Sequence, residues 1–366
     1  MKDLHIREII NQFQIYGDLL SFQSFGSGHI NSTYMSTFNQ AGTMARYTHQ
    51  RINRKVFYQP VDVMENIVLV TEHIKNNLIN TGISNPSNRV LTVIPARDGK
   101  TYYCDMHGDF WRTYLFIENT QTFDVLDDPG LAHKVGAAVA YFQSQLSDYA
   151  GPRLKETIPR FHDMQLRYEQ LDAALSADID KRALKASDEI AFLQKNRKRG
   201  MLLIDGLKNN SLREGITHND AKLNNILFSV SDNTALCVID LDTVMPGTIL
   251  FDTGDLIRTS TITGMEDEHD VSKISFSFEL FSALIQGYLS VADSFLTDYE
   301  KYLLAESGRN ITQIMAVRFL TDYLKGDVYY RTARDAHNLD RARTQIALIQ
   351  SMDAQWDRVT EFIANL

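Results

Sequence analysis

The stretch Thr217-His218-Asn219-Asp220-Ala221-Lys222-Leu223-Asn224-Asn225 has the form His-x-Asp-x-x-x-x-Asn, and a second stretch, Val238-Ile239-Asp240-Leu241-Asp242, is an apolar strand ending in acids. These residue types at these spacings suit phosphoryl transfer. That chemistry needs one carboxylate to receive or orient the proton of an attacking hydroxyl. It also needs an amide oxygen and a second carboxylate to hold Mg²⁺ against nucleotide phosphates. The pattern makes Asp220 the base, Asn225 the first metal ligand and Asp240 the second. Lys222, two residues after the base, is placed to neutralise charge on the transferring group. Taken singly, Asp and Asn are ordinary turn residues, and the bland reading is a polar loop before a hairpin at 226–230 and 235–241. The joint pattern favours kinase-type chemistry.

The elements that must position these groups can be read in order. A strand at 21–25 runs into Gly26-Ser27-Gly28-His29-Ile30-Asn31 and resumes at 31–36. Two glycines at a strand end permit a tight turn with close backbone approach to a phosphate. Strand, glycine turn, strand is the arrangement of a kinase glycine-rich loop. A third strand, 44–52, is where a kinase carries its phosphate-binding lysine, yet it reads Arg46-Tyr47-Thr48-His49-Gln50-Arg51. Gln50 and Arg51 are the candidates for that role, and spacing does not choose between them. A helix over 60–79 carries Val63, Ile67, Val70, Ile74 and Leu78 as an apolar stripe, with Glu65 and Glu72 as possible partners of a strand cation. Strands near 90–94, 101–106 and 111–117 complete a small sheet. Phe116-Ile117-Glu118-Asn119 then serves as a connector whose backbone would read the nucleotide base.

Beyond residue 120 helical periodicity takes over. Asp127-Asp128-Pro129 opens a helix with Leu131, Val135, Ala138, Val139, Phe142 and Leu146 on its buried stripe, and Gly136 allows close packing. His162 falls in a loop. Asp252 or Asp255 is expected to cap a helix or hold the catalytic loop backbone. A helix over 314–330 carries Arg318 and Tyr329; Arg318 reads equally as a core ion pair or a ligand to a polar substrate, since a buried arginine needs a partner. The expected fold is α+β and two-lobed: a small antiparallel sheet over 1–118 and a helical lobe over 119–366.

The net charge of −9 argues against an extended nucleic-acid face. Cys104 and Cys237 are expected to be buried free thiols in a reducing compartment. The N-terminus lacks a signal-peptide apolar region, and no apolar run is long enough to span a membrane. A cytoplasmic monomer or weak homodimer is expected.

The glycine turn, the His218-x-Asp220-x-x-x-x-Asn225 motif and Ile239-Asp240 resemble the aminoglycoside phosphotransferase and choline kinase group, which has a protein-kinase-like fold. Further stretches are similar to its N-acetylhexosamine 1-kinase branch. They are Gly28-His29-Ile30-Asn31-x-Thr33-Tyr34, Ile239-Asp240-Leu241-Asp242-Thr243, Arg318-Phe319-Leu320-x-Asp322-Tyr323-Leu324-x-Gly326-Asp327 and His337-Asn338-Leu339. The resemblance implies ATP- and Mg²⁺-dependent phosphorylation of the anomeric hydroxyl of N-acetylglucosamine or N-acetylgalactosamine. It implies Asp220 as base, Asn225 and Asp240 on the metal, and Arg318 and Tyr329 on the sugar. Gly26, Gly28, His29, Asn31, Gln50 and Ile117 would line the nucleotide site, with His29 and Asn31 near the phosphates or sugar. That branch also has glutamine on the third strand, so Gln50 is compatible with activity. Thr48-His49 and Glu65 depart from its pattern and bear on sugar preference. The alternatives are a kinase for an unacetylated sugar or an aminoglycoside, and a nucleotide-binding pseudokinase, the last motivated by the missing lysine.

Overall fold

The computed structural model describes residues 2–26 and 30–366. Helix α1 (Lys2–Ile10) precedes strands β1 (Asp18–Ser24), β2 (Ser32–Gln40) and β3 (Thr43–Ile52); helix α2 (Pro60–Asn80) and strands β4 (Val93–Ile94), β5 (Tyr103–Cys104) and β6 (Phe110–Leu115) follow. The strands make one six-stranded antiparallel sheet in the order β1-β2-β3-β6-β4, with β5 also on β6. Its register sets Gln50 of β3 opposite Arg112 of β6. Ile6, Ile10 and Phe13 pack with Phe38, Tyr47 and Trp111, which docks α1 on the sheet. The expected stripe of α2 is buried in a second cluster with Ile52, Tyr114, Phe142, Leu241 and Val244. Because Phe142, Leu241 and Val244 lie beyond residue 118, α2 is packed where the sheet region meets the helical region.

The region beyond residue 118 holds β7 (Thr120–Gln121), α3 (Pro129–Ser144), α4 (Met164–Ala177), α5 (Ser187–Lys195), α6 (Arg197–Gly200), α7 (Leu202–Lys208) and β8 (Gly215–Thr217). After these come β9 (Ile226–Ser229), β10 (Ala235–Val238), β11 (Met245–Gly247), α8 (Ile249–Ser260), α9 (Phe278–Ala292), α10 (Asp298–Tyr302), α11 (Leu304–Leu324), α12 (His337–Ala354) and α13 (Trp356–Ala364). Asp128 caps α3 by accepting from the Gly130 N–H at 2.9 Å. Helices α3 and α9 cross so closely that a Cβ on Gly136 or Gly287 would lie 2.0 Å from a carbonyl oxygen of the other helix. The α+β architecture of sheet first and helices after is the one expected from the sequence.

Two expectations change. The helix expected over 314–330 runs instead over Leu304–Leu324, and Tyr329 and Tyr330 stand on the loop that follows. Gly326 (φ 90°) and Asp327 (φ 62°) turn the chain out of the helix, and the left-handed backbone they adopt is a common helix stop. Cys104 is exposed, at the short strand β5, whereas Cys237 is buried as expected; both are free thiols. No described helix is long and apolar enough to cross a membrane.

Candidate active site

The loop after β8 is held by buried backbone contacts. Asp252 of α8 accepts the His218 N–H at 3.0 Å and the Asn219 N–H at 2.7 Å, and Gln143 of α3 donates to it at 3.2 Å. Asp255 does not share this work; it pairs with Arg258 at 2.7 Å, and the cap of α8 is Thr248. Asn219 sits at φ 64° and donates to the carbonyls of Thr217, Thr243 and Met245, fixing the turn from inside. His218 joins the two motifs. The Asp220 N–H donates to its Nδ1 at 3.2 Å, which leaves the proton on Nε2 to donate to the Ile239 carbonyl at 2.8 Å.

Asp220 emerges from this frame partly exposed, with the Lys222 ammonium 2.9 Å from its carboxylate. Burial raises the Asp220 pKa, but Lys222, His218 and Arg258 outweigh it and hold the group below the ordinary carboxylate range. Burial likewise opposes the Lys222 charge, and Asp220 and Asp240 overcome it and push that pKa up.

Asn225 donates its amide to the Asp220 carbonyl at 2.9 Å and to the Asp220 carboxylate at 3.2 Å, which leaves Oδ1 as its coordinating atom. Asp240 follows β10 at φ 61°, in the left-handed region, with its side chain open to solvent. Restricted hydration, then the negative charge of Asp242, raise its pKa to about 6. An amide oxygen and one accessible carboxylate are hard donors that fit Mg²⁺, which keeps waters and takes further ligands from phosphates. Among the described residues no group of three or more His, Cys, Asp or Glu forms an all-protein cage, as that mode of binding allows.

The nucleotide-side candidates separate. Gly26 has φ 78°, and Gly28 and His29 lie outside the described residues. Asn31 donates to Asp242 Oδ2 at 2.6 Å and accepts from the Asn53 N–H at 3.0 Å. Gln50 faces Arg112, whose Nε and Nη2 donate to its Oε1 at 2.9 and 2.8 Å. Arg51 points to the opposite face and pairs with Asp109 at 3.1 Å. Ile117 is buried, and its carbonyl accepts from Thr120 Oγ1 at 3.0 Å. Neither Glu65 nor Glu72 pairs with a strand cation; instead, the fully buried Arg112 forms an ion pair with Asp242. Sequence reading missed both Arg112 and this use of Asp242. The signal available was a lone arginine in an otherwise uncharged strand, Phe110–Leu115, which must find a partner when buried.

On the other side of Asp220, Arg318 is walled by aromatic rings. Its guanidinium carbon lies 4.8 Å from the Phe161 ring centre, 5.5 Å from Tyr330 and 5.9 Å from Tyr329. Among the described residues Arg318 has no carboxylate within salt-bridge distance. Burial works against its charge, and Tyr330, Tyr329, Asp220 and Asp255 more than offset that. Arg167 shares the pocket; burial and the like charge of Arg318 lower its pKa to about 10. His162 donates to the Asn219 carbonyl at 2.8 Å and is held neutral by burial, its pKa near 3, so it braces the catalytic loop. Asp322 sets the loop carrying the tyrosines, accepting from the N–H groups of Val328, Tyr329 and Tyr330 at 3.1, 2.8 and 2.9 Å, and from Asn338 Nδ2 at 2.9 Å. Two surface hollows of about 500 and 460 Å³ lie elsewhere and include none of Asp220, Asp240 or Arg318.

Residues 102–275 match the family model described as the phosphotransferase enzyme family. That span takes in Arg112, Asp220, Asn225 and Asp240 and stops before Arg318. Among solved structures, a microcompartment-associated aminopropanol kinase is 14% identical with TM-score 0.63, covering 96% of this chain and 98% of its own. A choline kinase from Cryptosporidium parvum is 13% identical with TM-score 0.61, covering 100% and 99%. A spectinomycin phosphotransferase in complex with ADP and spectinomycin is 13% identical with TM-score 0.55, covering 94% and 97%. Residues 102–275 are thus similar to the phosphotransferase enzyme family, and the fold is the protein-kinase-like one of these aminoglycoside phosphotransferase and choline kinase structures.

Proposed function

We propose that this chain is an ATP- and Mg²⁺-dependent kinase that phosphorylates the anomeric hydroxyl of N-acetylglucosamine or N-acetylgalactosamine. The observation that carries the acceptor class is the Arg318 pocket: a guanidinium without a carboxylate partner among the described residues, walled by Phe161, Tyr329 and Tyr330 and in the field of Asp220. Aromatic walls suit the C–H face of a sugar ring, and guanidinium donors suit an acetamido carbonyl. A polycationic aminoglycoside would be repelled by Arg318 and Arg167 together. The similarity of the Arg318 to Asp327 stretch to the N-acetylhexosamine 1-kinase branch supports the same acceptor.

Asp220, held below the ordinary carboxylate range, is a weak base. It is matched to an acidic hydroxyl, and an anomeric hydroxyl is more acidic than an ordinary alcohol. As the sugar O1 bonds to the γ-phosphorus, Asp220 takes its proton and the bond to the ADP oxygen breaks. Lys222, beside Asp220, balances negative charge gathering on the phosphoryl oxygens. Asn225 Oδ1 and the Asp240 carboxylate would hold the Mg²⁺, whose charge offsets that of the nucleotide phosphates. A fold relative that binds ADP together with spectinomycin supports a nucleotide and a small acceptor on this scaffold. We place the enzyme in the cytoplasm as a monomer or weak homodimer, without nucleic-acid or membrane partners.

The test is the rate of transfer from Mg-ATP to N-acetylglucosamine, N-acetylgalactosamine, glucose, galactose and an aminoglycoside. Acetamido sugars are expected to exceed the plain hexoses in kcat/KM by about tenfold or more, the range one added polar contact can supply. An aminoglycoside as the preferred acceptor would contradict the reading.

A further inference from the structure

We infer that Arg112 is the cation that receives the nucleotide phosphates, taking the place of a lysine on β3; the inference rests on the phosphotransferase reading. Phosphates entering beside Asp240 and Asp242 meet two carboxylates, so a nearby cation is needed to hold them. The other candidates are paired with a carboxylate as Arg112 is with Asp242, and position separates them. Lys222 is 2.9 Å from Asp220, Arg51 leaves the opposite face of β3 to pair with Asp109, and Arg46 pairs with Glu118 beside the connector. Arg112 stands directly across from Gln50 in the register and is held by it, whereas Arg46, four residues along the same face of β3, is turned to Glu118.

The local chemistry fits this role. Gln50 donates to Thr33 Oγ1 at 3.2 Å, which turns its Oε1 toward Arg112, and that oxygen takes both Nε and Nη2. A lysine at 50 would set two cations side by side; a glutamine instead aims the arginine. The remaining nitrogen, Nη1, is fully buried and makes no directional hydrogen bond, and neither does Asp242 Oδ1, although the two groups lie in contact as charges. One edge of the guanidinium fork is thus fixed by Gln50, while the other has donors to spend on a phosphate. Asn31, which resumes the chain after the glycine turn, holds the far oxygen of Asp242 at 2.6 Å. A phosphate bound beside Asp242 would lie against the Asn31–Asp242–Arg112 row. On its arrival, Nη1 exchanges the Asp242 carboxylate for phosphate oxygens, and Gln50 keeps the fork in place.

The test is calorimetric binding of adenosine and of ADP in EDTA, without acceptor sugar, to the wild-type protein, Arg112→Met, Arg112→Lys and the charge-balanced pair Arg112→Met with Asp242→Asn. The pair guards against misfolding, since Arg112→Met alone leaves Asp242 buried without a counter-ion. Arg112→Met and the pair are expected to lose tenfold or more in ADP affinity while adenosine affinity stays within twofold. Arg112→Lys is expected to keep most of the ADP affinity. If the pair restores wild-type ADP affinity, Arg112 only balances Asp242 and the inference fails. Equal losses for adenosine and ADP would also overturn it, by making the role one of general architecture. A wild-type protein that binds neither would sink the phosphotransferase reading itself, whereas absence of sugar transfer with these binding results intact would sink only the acceptor assignment.

Discussion

Asp220 illustrates how a short motif is made into a base. Its backbone N–H is spent on His218, its carboxylate faces Lys222, and Asn225 donates to both its carbonyl and its side chain. Asp220→Asn keeps nearly the same shape and removes the proton acceptor. We expect kcat to fall about 10²- to 10⁴-fold, with ADP affinity within about twofold by calorimetry. Retained turnover would mean that the base lies elsewhere. This part of the site was legible in sequence because its members lie close together in the chain and their types are few. Arg112 was not. It meets Gln50 across 62 positions, and Asn31 meets Asp242 across 211, so only strand register and lobe packing bring them together. The missing lysine was visible as an absence, but what replaces it depends on which strand lies beside β3.

At the scale of elements, the loop between α11 and α12 decides what the acceptor meets. Read from the sequence alone, this helix runs on through Tyr330. The departure comes from side-chain chemistry. Asp322 accepts three backbone N–H groups from the following loop and a fourth bond from Asn338, and Gly326 and Asp327 adopt the left-handed backbone the turn requires. Asp322→Ala should free this loop without disturbing the nucleotide side. At about 1 kcal/mol per lost hydrogen bond, loss of the three loop-ordering bonds predicts a rise in acceptor KM of about a hundredfold. Faster amide exchange at 328–330 and an unchanged ADP affinity should accompany it. Equal losses for acceptor and nucleotide would count against a role specific to the acceptor. By contrast, the α2 stripe and the start of α3 were readable, since both follow from apolar spacing and a proline at the first turn.

At the scale of the whole molecule, two buried histidines tie stability to pH. Burial lowers the pKa of His49, bonded between Ser36 and Thr113 inside the sheet, to about 3, and does the same to His162 behind the catalytic loop. In the unfolded chain each takes up a proton near pH 6.5, whereas in the native state neither does until about pH 3. Stability is therefore complete above pH 6.5 and is lost as pH falls toward 3, by about 2 kcal/mol per histidine at pH 5. Asp240, raised to about 6, acts in the opposite sense, but its side chain is exposed and its effect correspondingly smaller. Denaturant unfolding at pH 7 and pH 5 should show this loss, and His162→Gln should shrink it by about half. An unchanged pH dependence in that variant would place the proton uptake elsewhere.

The two lobes meet where Arg112, Asp242 and Asn31 join the sheet to the catalytic strand end, and the proposed reaction takes place at that junction. The most direct measurement is the phosphorus–carbon coupling of the product formed from Mg-ATP and N-acetylglucosamine or N-acetylgalactosamine labelled with carbon-13. The expected result is a phosphorus signal coupled to C1 and C2, the pattern of a sugar 1-phosphate. Coupling to C6, or release of inorganic phosphate with the sugar unchanged, would contradict it.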